Sequence, residues 1–368
     1  MSKEKIKNLN EIIREISNQN SKNEKLLSPL AMTTEKSKGR LNHEESNNLR
    51  SPYQIDRDRI IHTNAFRRLK HKSQVFIAPL GDHYVTRLTH TIEVSQIGRT
   101  IARALNLNED LVEATSLGHD LGHSPFGHIG ESILNELNSE GFHHSKQSVR
   151  IVEILEKNGS GLNLTFEVID GIKHHSKPQG DYMKPELVKN LSLEAQIVRL
   201  SDSIAYLAHD INDAIRAKMI TNNDLPERTK KHLGLKHSER LNNIITDVII
   251  SSWDCRGNIS SSKTNNPWIR MSPKVTEIIT DLRNFMFEKI YLPIGITKEG
   301  KISKEIVKIL FDYYIKNIHL VPNYIKSLSN SSDRIVTDYV CGMTDLFALR
   351  TAEELKPGLT TNMFDGRL

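Results

Sequence analysis

The chain has few cysteines and no long apolar run, and thus lacks the features typical of secreted and membrane proteins. Its 368 residues include only two cysteines, Cys255 and Cys341, and these form no metal-binding or redox motif. A disulfide scaffold is therefore excluded, and this cysteine usage is typical of a reducing compartment. No apolar run approaches the ~20 residues of a membrane span, and the first residues lack the apolar core of a secretion signal. We therefore expect a cytoplasmic protein that makes no membrane contact.

The chain also lacks a strong charge of either sign. Its net charge is +5 and its isoelectric point is about 8.9. Spread over this length, the mild basic excess does not by itself indicate nucleic-acid binding, and anionic small molecules fit it equally well. The hydrophobic content of 37% is low but still that of a globular chain. A chain of this length can form one large or two modest domains with an ample core.

Alternating apolar and polar runs, which would predict β-strands, are absent, as are internal repeats and heptads. Apolar residues recur instead at helical spacing, most extensively over 192–217. We therefore predict an all-α fold. From residue 131 onward, helices are predicted at 131–138, 145–157, 165–175, 192–217, 239–250, 273–290, 303–317 and 333–350.

Three regions are predicted from the change in composition along the chain. Residues 1–50 form a polar lead-in that we expect to be partly flexible, with one short helix near its start. Residues 51–218 form the core that carries the histidines. Residues 219–368 form a C-terminal helical region that we expect to pack on this core.

Histidine is the residue in clear excess. The chain has sixteen histidines, and nine of them lie between His62 and His144. The stretch 117–131, LGHDLGHSPFGHIGE, holds three histidines, two carboxylates and four glycines. Packing alone does not explain this composition, whereas a divalent metal or a proton-transfer site requires such groups. The doublets at 143–144 and 174–175 carry less weight, because paired histidines are more often cap, core or surface residues than ligands.

The dipeptide His119-Asp120 is the first candidate for metal binding. Adjacent side chains on a helix diverge by about 100°, so they share an ion only if other helices supply further ligands. His90 and Asp202 are the candidates, since Asp202 lies in an apolar run where a lone carboxylate is costly. A buried ion pair with Arg199 explains Asp202 equally well. Two histidines and two aspartates without thiolate favour Mg, Mn or another first-row metal over structural zinc.

Two further groups carry chemistry at helical spacing. His128 and Glu131 are three residues apart, which suits a carboxylate that orients an imidazole. Asp202, Tyr206 and Asp210 follow one another at four-residue steps and share one face of the long predicted helix. This face is either a polar wall toward a ligand or a solvated stripe, and its aliphatic neighbours favour the wall.

Basic side chains near these groups suit phosphate. The arginine guanidinium holds phosphate oxygens through its rigid fork of donors. Most arginines on helices are simply solvated. Arg87, one helical turn before His90, is the best single candidate.

At these residues the sequence resembles the HD superfamily of metal-dependent phosphohydrolases, in particular its deoxyguanosinetriphosphate triphosphohydrolase-like branch. The resemblance covers roughly residues 51–349 and rests on the order of the motifs, since an isolated His-Asp dipeptide would carry no information. The matching runs are SPYQIDRDRIIHTNAFRRLKHKSQV, GDHYVTRLTHTIEVSQIGR, LGHDLGHSPFGHIGE, LTFEVIDGIKHHS, LEAQIVRLSDSIAYLAHD and DYVCGMTD.

The resemblance implies an all-α HD fold for residues 51–218 and a role for each matching residue. The implied ligands of a divalent metal are His90, His119, Asp120 and Asp202. The implied catalytic pair is His128, oriented by Glu131. The implied substrate-binding residues are His123 and Arg87 on the triphosphate, and Gln74, Tyr206 and Asp210 at the sugar.

The implied reaction converts a deoxynucleoside triphosphate (dNTP) and water into deoxynucleoside and tripolyphosphate, with dGTP as the favoured substrate. The resemblance also implies a homo-oligomer and, in some members, an allosteric nucleotide site. Two alternatives stay open. One is another HD-type phosphohydrolase acting on nucleoside monophosphates or alarmones. The other is a regulator with little turnover that binds nucleotides or single-stranded nucleic acid through the basic segment 57–72.

Overall fold

A computed structural model describes residues 3–45, 49–77, 83–176, 184–257 and 266–360, and the regular structure in these ranges is helical throughout. The predicted all-α class is therefore confirmed. The only strand-like features among the described residues are two isolated bridges, Arg40 with Thr165 and Ser73 with Thr86. No described helix combines the length and the apolar content needed to cross a membrane.

The helices of the first half of the chain are α1 (Lys3–Lys25), α2 (Pro52–Ile61), α3 (Asn64–Arg68), α4 (Arg87–Leu105), α5 (Glu109–Gly118), α6 (Gly127–Leu137), α7 (His144–Arg150), α8 (Glu156–Gly159) and α9 (Phe166–His174). Those of the second half are α10 (Leu193–Arg216), α11 (Glu227–His232), α12 (His237–Ser251), α13 (Pro273–Met286), α14 (Leu292–Ile296), α15 (Lys298–Lys316), α16 (Asn323–Lys326), α17 (Ser332–Cys341) and α18 (Asp345–Leu355). Single π-helical turns continue α7 over Ile151–Leu155 and α13 over Phe287–Tyr291.

The centre of the fold is formed by α4, α5 and α10, which pack against one another, with α2 on the outer side of α5. Buried aliphatic side chains such as Val94, Ile97 and Ile197 fill the space between them. Each such side chain contributes about 1.5–3 kcal/mol when it is fully buried. Gly98 permits the close approach of α4 to α5, because a β-carbon there would lie 2.7 Å from a methyl group of Val112. This packing brings the candidate ligands on the three helices to one place.

The polar lead-in is more ordered than its composition predicts. Its first helix, α1, has 23 residues rather than a few turns. Further along, the Met32 N–H donates to Oε1 of the fully buried Glu194 at 2.9 Å. Arg40 forms an ion pair with the buried Asp56. Both acceptors lie outside the lead-in, so its composition does not reveal that they anchor this segment. The three-region division remains a prediction.

The predicted helix over 333–350 is two helices in the structure. The first ends at Cys341 and the second begins at Asp345. Thr344 caps the second helix, since its hydroxyl oxygen accepts the Phe347 N–H at 3.2 Å. The apolar spacing continues across this break, so periodicity alone does not reveal that one helix ends and another begins.

The C-terminal helix α15 packs against α6, which contains the end of the histidine-rich stretch 117–131. One buried cluster joins Phe126 and Leu134 to Leu310 on α15, Val336 on α17 and Leu349 on α18. The C-terminal region therefore forms one side of the support for that segment.

Candidate metal centre and active site

Three helices bring the four predicted metal ligands together. His90 lies on α4 and Asp202 on α10, while His119 and Asp120 follow directly after the end of α5. Because α5 ends at Gly118, Asp120 lies in a turn and its carboxylate points back toward His119. Nε2 of His90 lies 3.2 Å from Oδ1 of Asp202, and Nε2 of His119 lies 3.4 Å from Oδ1 of Asp120. Nε2 of His119 is also 3.8 Å from Oδ1 of Asp202.

The two histidines are held by their other ring nitrogen. Nδ1 of His119 lies 2.6 Å from the Ser116 carbonyl oxygen, which only accepts, so this nitrogen carries the proton. Nε2 of His119 is buried and has no hydrogen-bond partner. Nδ1 of His90 lies 2.9 Å from Nε2 of His209. Both imidazoles thus present Nε2 to the carboxylates, the arrangement by which outer groups orient metal-binding histidines.

A relay of buried groups continues behind His90. Nδ1 of His209 lies 2.9 Å from Oδ1 of Asp210, a close ionic contact. The other oxygen of Asp210 accepts the Tyr291 hydroxyl at 2.9 Å. An ion bound at Nε2 of His90 would leave the His90 proton on Nδ1, where Nε2 of His209 can accept it.

The electrostatics of the group suit a cation. Burial lowers the pKa of His90, so its imidazole is neutral at neutral pH. Burial alone would raise the pKa of the Asp120 carboxyl, but the electrostatic influence of His119, His123 and the Arg87 guanidinium outweighs burial and holds this pKa well below its usual range. Neutral imidazole and ionised carboxylate are the forms that bind divalent metals. His90, His119 and Asp120 present ligand atoms close enough to share one such ion, and Asp202 lies beside both histidines. Nε2 of His119 is buried without a hydrogen-bond partner among the described residues, which fits a bound ion.

Arg199, the alternative partner of Asp202, makes two described contacts with backbone carbonyl oxygens. One guanidinium nitrogen donates to the carbonyl oxygens of His174, at 2.8 Å, and Ser176. Asp202 contributes an oxygen beside the two candidate histidines instead of an isolated buried charge.

Arg87 is the cation nearest to the candidate ligands. It is 1% exposed, and its guanidinium donates to Oδ2 of Asp120 at 2.8 Å. Gly127 makes room for it, because this residue has φ +56° and a β-carbon there would lie 2.8 Å from Nη2 of Arg87. Two predicted substrate-binding residues lie near the same carboxylate. Nε2 of His123 is 3.2 Å from Oδ1 of Asp120, and the Gln74 backbone oxygen is 3.5 Å from Arg87.

The predicted pair of His128 and Glu131 is in contact. Nδ1 of the exposed His128 lies 3.0 Å from Oε2 of Glu131. Oε1 of Glu131 accepts both the backbone N–H and Nδ1 of His144, each at 2.8 Å. Burial would raise the pKa of Glu131, but the hydrogen bonds from His128 and His144 lower it far more. His144 in turn stacks on His123 at 4.1 Å and lies 3.2 Å from Nε2 of His175.

The predicted polar face of α10 is not a solvated stripe. Asp210 is 1% exposed, and the Tyr206 ring lies 5.2 Å from the Tyr291 ring. Burial raises the pKa of Tyr206, which keeps its hydroxyl protonated at neutral pH. That this face contacts a ligand remains a prediction.

Four residues that support the site were missed or discounted in the sequence. His144 and His175 belong to the two doublets, and a doublet does not reveal that one ring of each pair is buried. His209 stands beside Asp210 without a recognisable spacing to His90. Tyr291 lies 81 residues after Asp210, and no local pattern connects them.

Comparison with known proteins assigns the class. The HD domain family model matches residues 87–207, which hold all four candidate ligands, and the model of the phosphohydrolase-associated domain matches residues 269–354. The chain is therefore an HD-domain phosphohydrolase. HD domains bind divalent metals, and the His–Asp group described above can hold one.

Three curated relatives identify a family within this class. A protein of Caldanaerobacter subterraneus subsp. tengcongensis is 47% identical over 93% of this chain and 96% of its own length. One of Desulfatibacillum aliphaticivorans is 44% identical over 89% and 94%, and one of Clostridium tetani is 43% identical over 87% and 90%. All three are called deoxyguanosinetriphosphate triphosphohydrolase-like proteins. The chain belongs to this family, as the sequence resemblance predicted.

Proposed function

We propose that the protein is a dNTP triphosphohydrolase that converts a deoxynucleoside triphosphate and water into deoxynucleoside and tripolyphosphate. The observation that carries this proposal is a donor set for a divalent ion, three of whose four residues are buried, with a histidine–carboxylate pair beside it. The donor set is His90, His119, Asp120 and Asp202. The name of the relatives favours dGTP as the substrate.

A divalent ion held by the four ligands would supply Lewis-acid polarisation of the α-phosphoryl group. The chain's own cationic and polar groups hold the rest of the triphosphate. Nε of Arg87 and Nδ1 of His123 are buried nitrogens without a hydrogen-bond partner. Phosphate oxygens are strong acceptors and suit an arginine that is already fixed by a carboxylate. We therefore assign Arg87 and His123 to triphosphate binding.

The reaction breaks the bond between the α-phosphorus and O5′, and the oxygen of water takes its place on phosphorus. The departing 5′ oxygen is a poor leaving group unless it receives a proton. Glu131 holds Nδ1 of His128 and thereby leaves Nε2 to move that proton or to activate the water. His128 is exposed, so a substrate in the open site can reach it. Such acid–base assistance contributes about 10²- to 10⁴-fold to the rate.

Discrimination against ribonucleotides is assigned to Tyr206. This residue follows Asp202 by one helical turn and packs near Tyr291. A ring against C2′ leaves no space for a hydroxyl. Oε1 of Gln74 is buried without a partner among the described residues, which makes it an available acceptor for a sugar hydroxyl. Asp210 accepts the hydroxyl of Tyr291, whose ring lies near that of Tyr206. If Tyr206→Ala rejects ribonucleotides as strongly as the wild type, the selectivity has another origin.

The deciding experiment is incubation with each dNTP and with GTP, in Mg²⁺ or Mn²⁺, singly and in pairs. Ion-exchange chromatography resolves the products. We expect intact tripolyphosphate and deoxynucleoside, with His128→Ala lowering kcat about 10²- to 10⁴-fold while metal binding is retained. Release of monophosphate or pyrophosphate would favour another HD-type phosphohydrolase. No product from protein with its metal site filled would favour the nucleotide- or nucleic-acid-binding alternative.

The same experiment tests regulation. Turnover only in paired incubations would indicate that a second dNTP activates the enzyme through an allosteric site. We also propose, from the family resemblance, that the protein is a cytoplasmic homo-oligomer, which light scattering with and without dNTP tests. Steep salt dependence of binding to a single-stranded oligonucleotide would support an additional nucleic-acid partner.

A further inference from the structure

We propose that Asp345, in the C-terminal region, is a positioning residue that sets the distance between two segments of the candidate active site. One segment is the turn from His123 to His128, and the other is the segment that carries Gln74. The catalytic consequence rests on the proposed function, whereas the positioning itself does not.

Asp345 accepts hydrogen bonds from both segments at once. It is buried, and its Oδ1 accepts the Phe126 N–H at 2.9 Å. Its Oδ2 accepts the Ser73 N–H at 2.9 Å and also the Ser73 hydroxyl. Phe126 lies between His123 and His128, and Ser73 directly precedes Gln74. A carboxylate offers only acceptors, so all three donors are satisfied by one side chain.

A helix-capping role does not account for these contacts. An acidic residue in the first turn of a helix ordinarily favours the exposed N–H groups of its own helix. In α18, however, Thr344 provides the cap by accepting the Phe347 N–H. The described hydrogen bonds of the Asp345 carboxylate go instead to residues more than two hundred positions away in the sequence.

Neighbouring contacts hold the same turn to the same junction. The buried Lys72 ammonium donates to the carbonyl oxygen of His123 and, at 2.8 Å, to that of Cys341. The Cys341 thiol donates to the Gly122 carbonyl oxygen at 3.2 Å. Phe126 and the neighbouring Gly122 are therefore attached directly to the junction between α17 and α18, and His123 is attached to it through Lys72.

The backbone of the turn explains why it needs this support. Phe126 adopts φ +61° and ψ +25°, a left-handed conformation that is unfavourable for a residue with a β-carbon. Gly127 follows with φ +56°. Such conformations persist where the surroundings determine them strongly. The buried Phe126 ring and the acceptor from Asp345 hold this residue from its side chain and its amide together.

The test replaces Asp345 by asparagine, which keeps the shape but must turn an NH₂ group toward one of the donors. A matched control exists in Asp56→Asn. Oδ2 of Asp56 accepts the N–H and the hydroxyl of Thr165 at 2.8 Å and 2.6 Å, and its other oxygen accepts Arg40. Asp56 is thus another buried carboxylate that accepts a backbone N–H and a hydroxyl, with Arg40 as a further partner, and it supports the start of α9 and not the histidine turn.

We expect Asp345→Asn to lower kcat about 10²-fold, the size of effect that a misplacement of about 1 Å produces. KM and the amount of bound Mn²⁺ stay close to those of the wild type. Hydrogen exchange, followed by mass spectrometry, accelerates in peptides that contain Phe126. Asp56→Asn leaves both kcat and this exchange unchanged at a temperature where it is folded.

Two outcomes overturn the inference: wild-type exchange and kcat in Asp345→Asn, or equal losses in Asp56→Asn. If Asp345→Asn does not fold, as judged by circular dichroism, Ser73→Ala decides, since it removes one donor and should lower kcat less while retaining KM. Wild-type protein that hydrolyses no dNTP refutes the proposed function alone, because the exchange measurement still decides whether Asp345 holds the turn.

Discussion

Replacing His209 by alanine should weaken metal binding although His209 is not a candidate ligand. The substitution removes the acceptor of the Nδ1–H of His90, which lies 2.9 Å from Nε2 of His209. His90 is 1% exposed, so solvent does not readily replace this partner. The question is how much of the loss appears in metal affinity and how much in folding stability.

The structure indicates that the metal-bound state bears the larger loss. With an ion bound at Nε2, the His90 proton is confined to Nδ1 and remains unsatisfied, which costs about 1–3 kcal/mol. Without the ion, the proton can move to Nε2, which lies 3.2 Å from Oδ1 of Asp202 and can donate to it. The metal-free state therefore regains a hydrogen bond for the His90 proton, whereas the metal-bound state does not. At about 1.4 kcal/mol for each tenfold change, the Mn²⁺ dissociation constant should rise about 5- to 150-fold.

Calorimetric titration of metal-free protein with Mn²⁺ measures this change directly and needs no substrate. His237→Ala is a suitable control, since Nδ1 of His237 is 3.2 Å from the carbonyl oxygen of Ala208, directly before His209. It removes an imidazole of α12 that contacts the same part of α10, without touching the relay. An unchanged Mn²⁺ affinity in His209→Ala, or an equal loss in His237→Ala, would refute the reasoning.

Three further predictions follow from particular contacts. Glu131→Gln should lower kcat about 10²- to 10⁴-fold in the product assay with the bound Mn²⁺ unchanged, and an unaltered kcat would show that His128 does not need this carboxylate. Gly122→Ala should destabilise the fold by about 1–3 kcal/mol in urea unfolding, because a β-carbon would lie 2.2 Å from the backbone nitrogen of Ser148. Gly295→Ala is the control, since a β-carbon there meets nothing within 4 Å and should not destabilise the fold. Burial lowers the pKa of Lys72 from 10.5 to about 8. Between these values the unfolded chain binds a proton that the folded chain has released, so stability rises with pH. The difference in unfolding free energy between wild type and Lys72→Met should therefore increase over this range, and a constant difference would contradict the assignment.

The composition of the stretch 117–131 makes His119 and Asp120 predictable as candidate ligands. His119 and Asp120 stand out because imidazole and carboxylate recur there among glycines, and Asp202 stands out as a charge within an apolar helix. Both signals are local, since they depend on a residue's own chemistry and on its nearest neighbours. The long helix α10 was predicted for the same reason, with bounds of 192–217 against the observed Leu193–Arg216. Where a feature depends on residues close in sequence, pattern and structure agree.

The supporting residues could not be predicted, because their roles arise from contacts between distant parts of the chain. His209 orients His90 across 119 positions, and Asp345 reaches Phe126 across 219. Both residues lie in runs that match the family, but no local spacing connects either of them to its partner. Aspartate at the start of a helix is ordinary, and its capping interpretation is the natural one until Thr344 is found to cap the helix.

The metal ligands and the turn from His123 to His128 are supported by different parts of the fold. The four candidate ligands come from α4, α10 and the end of α5, which pack on one another. The turn with His123 and His128 depends in addition on Lys72 and on the C-terminal junction. Loss of that junction should therefore disturb the turn more than the metal ligands. A variant such as Asp345→Asn that retains Mn²⁺ but loses turnover would separate the two parts of the site, and one that loses both together would show that they form a single cooperative unit.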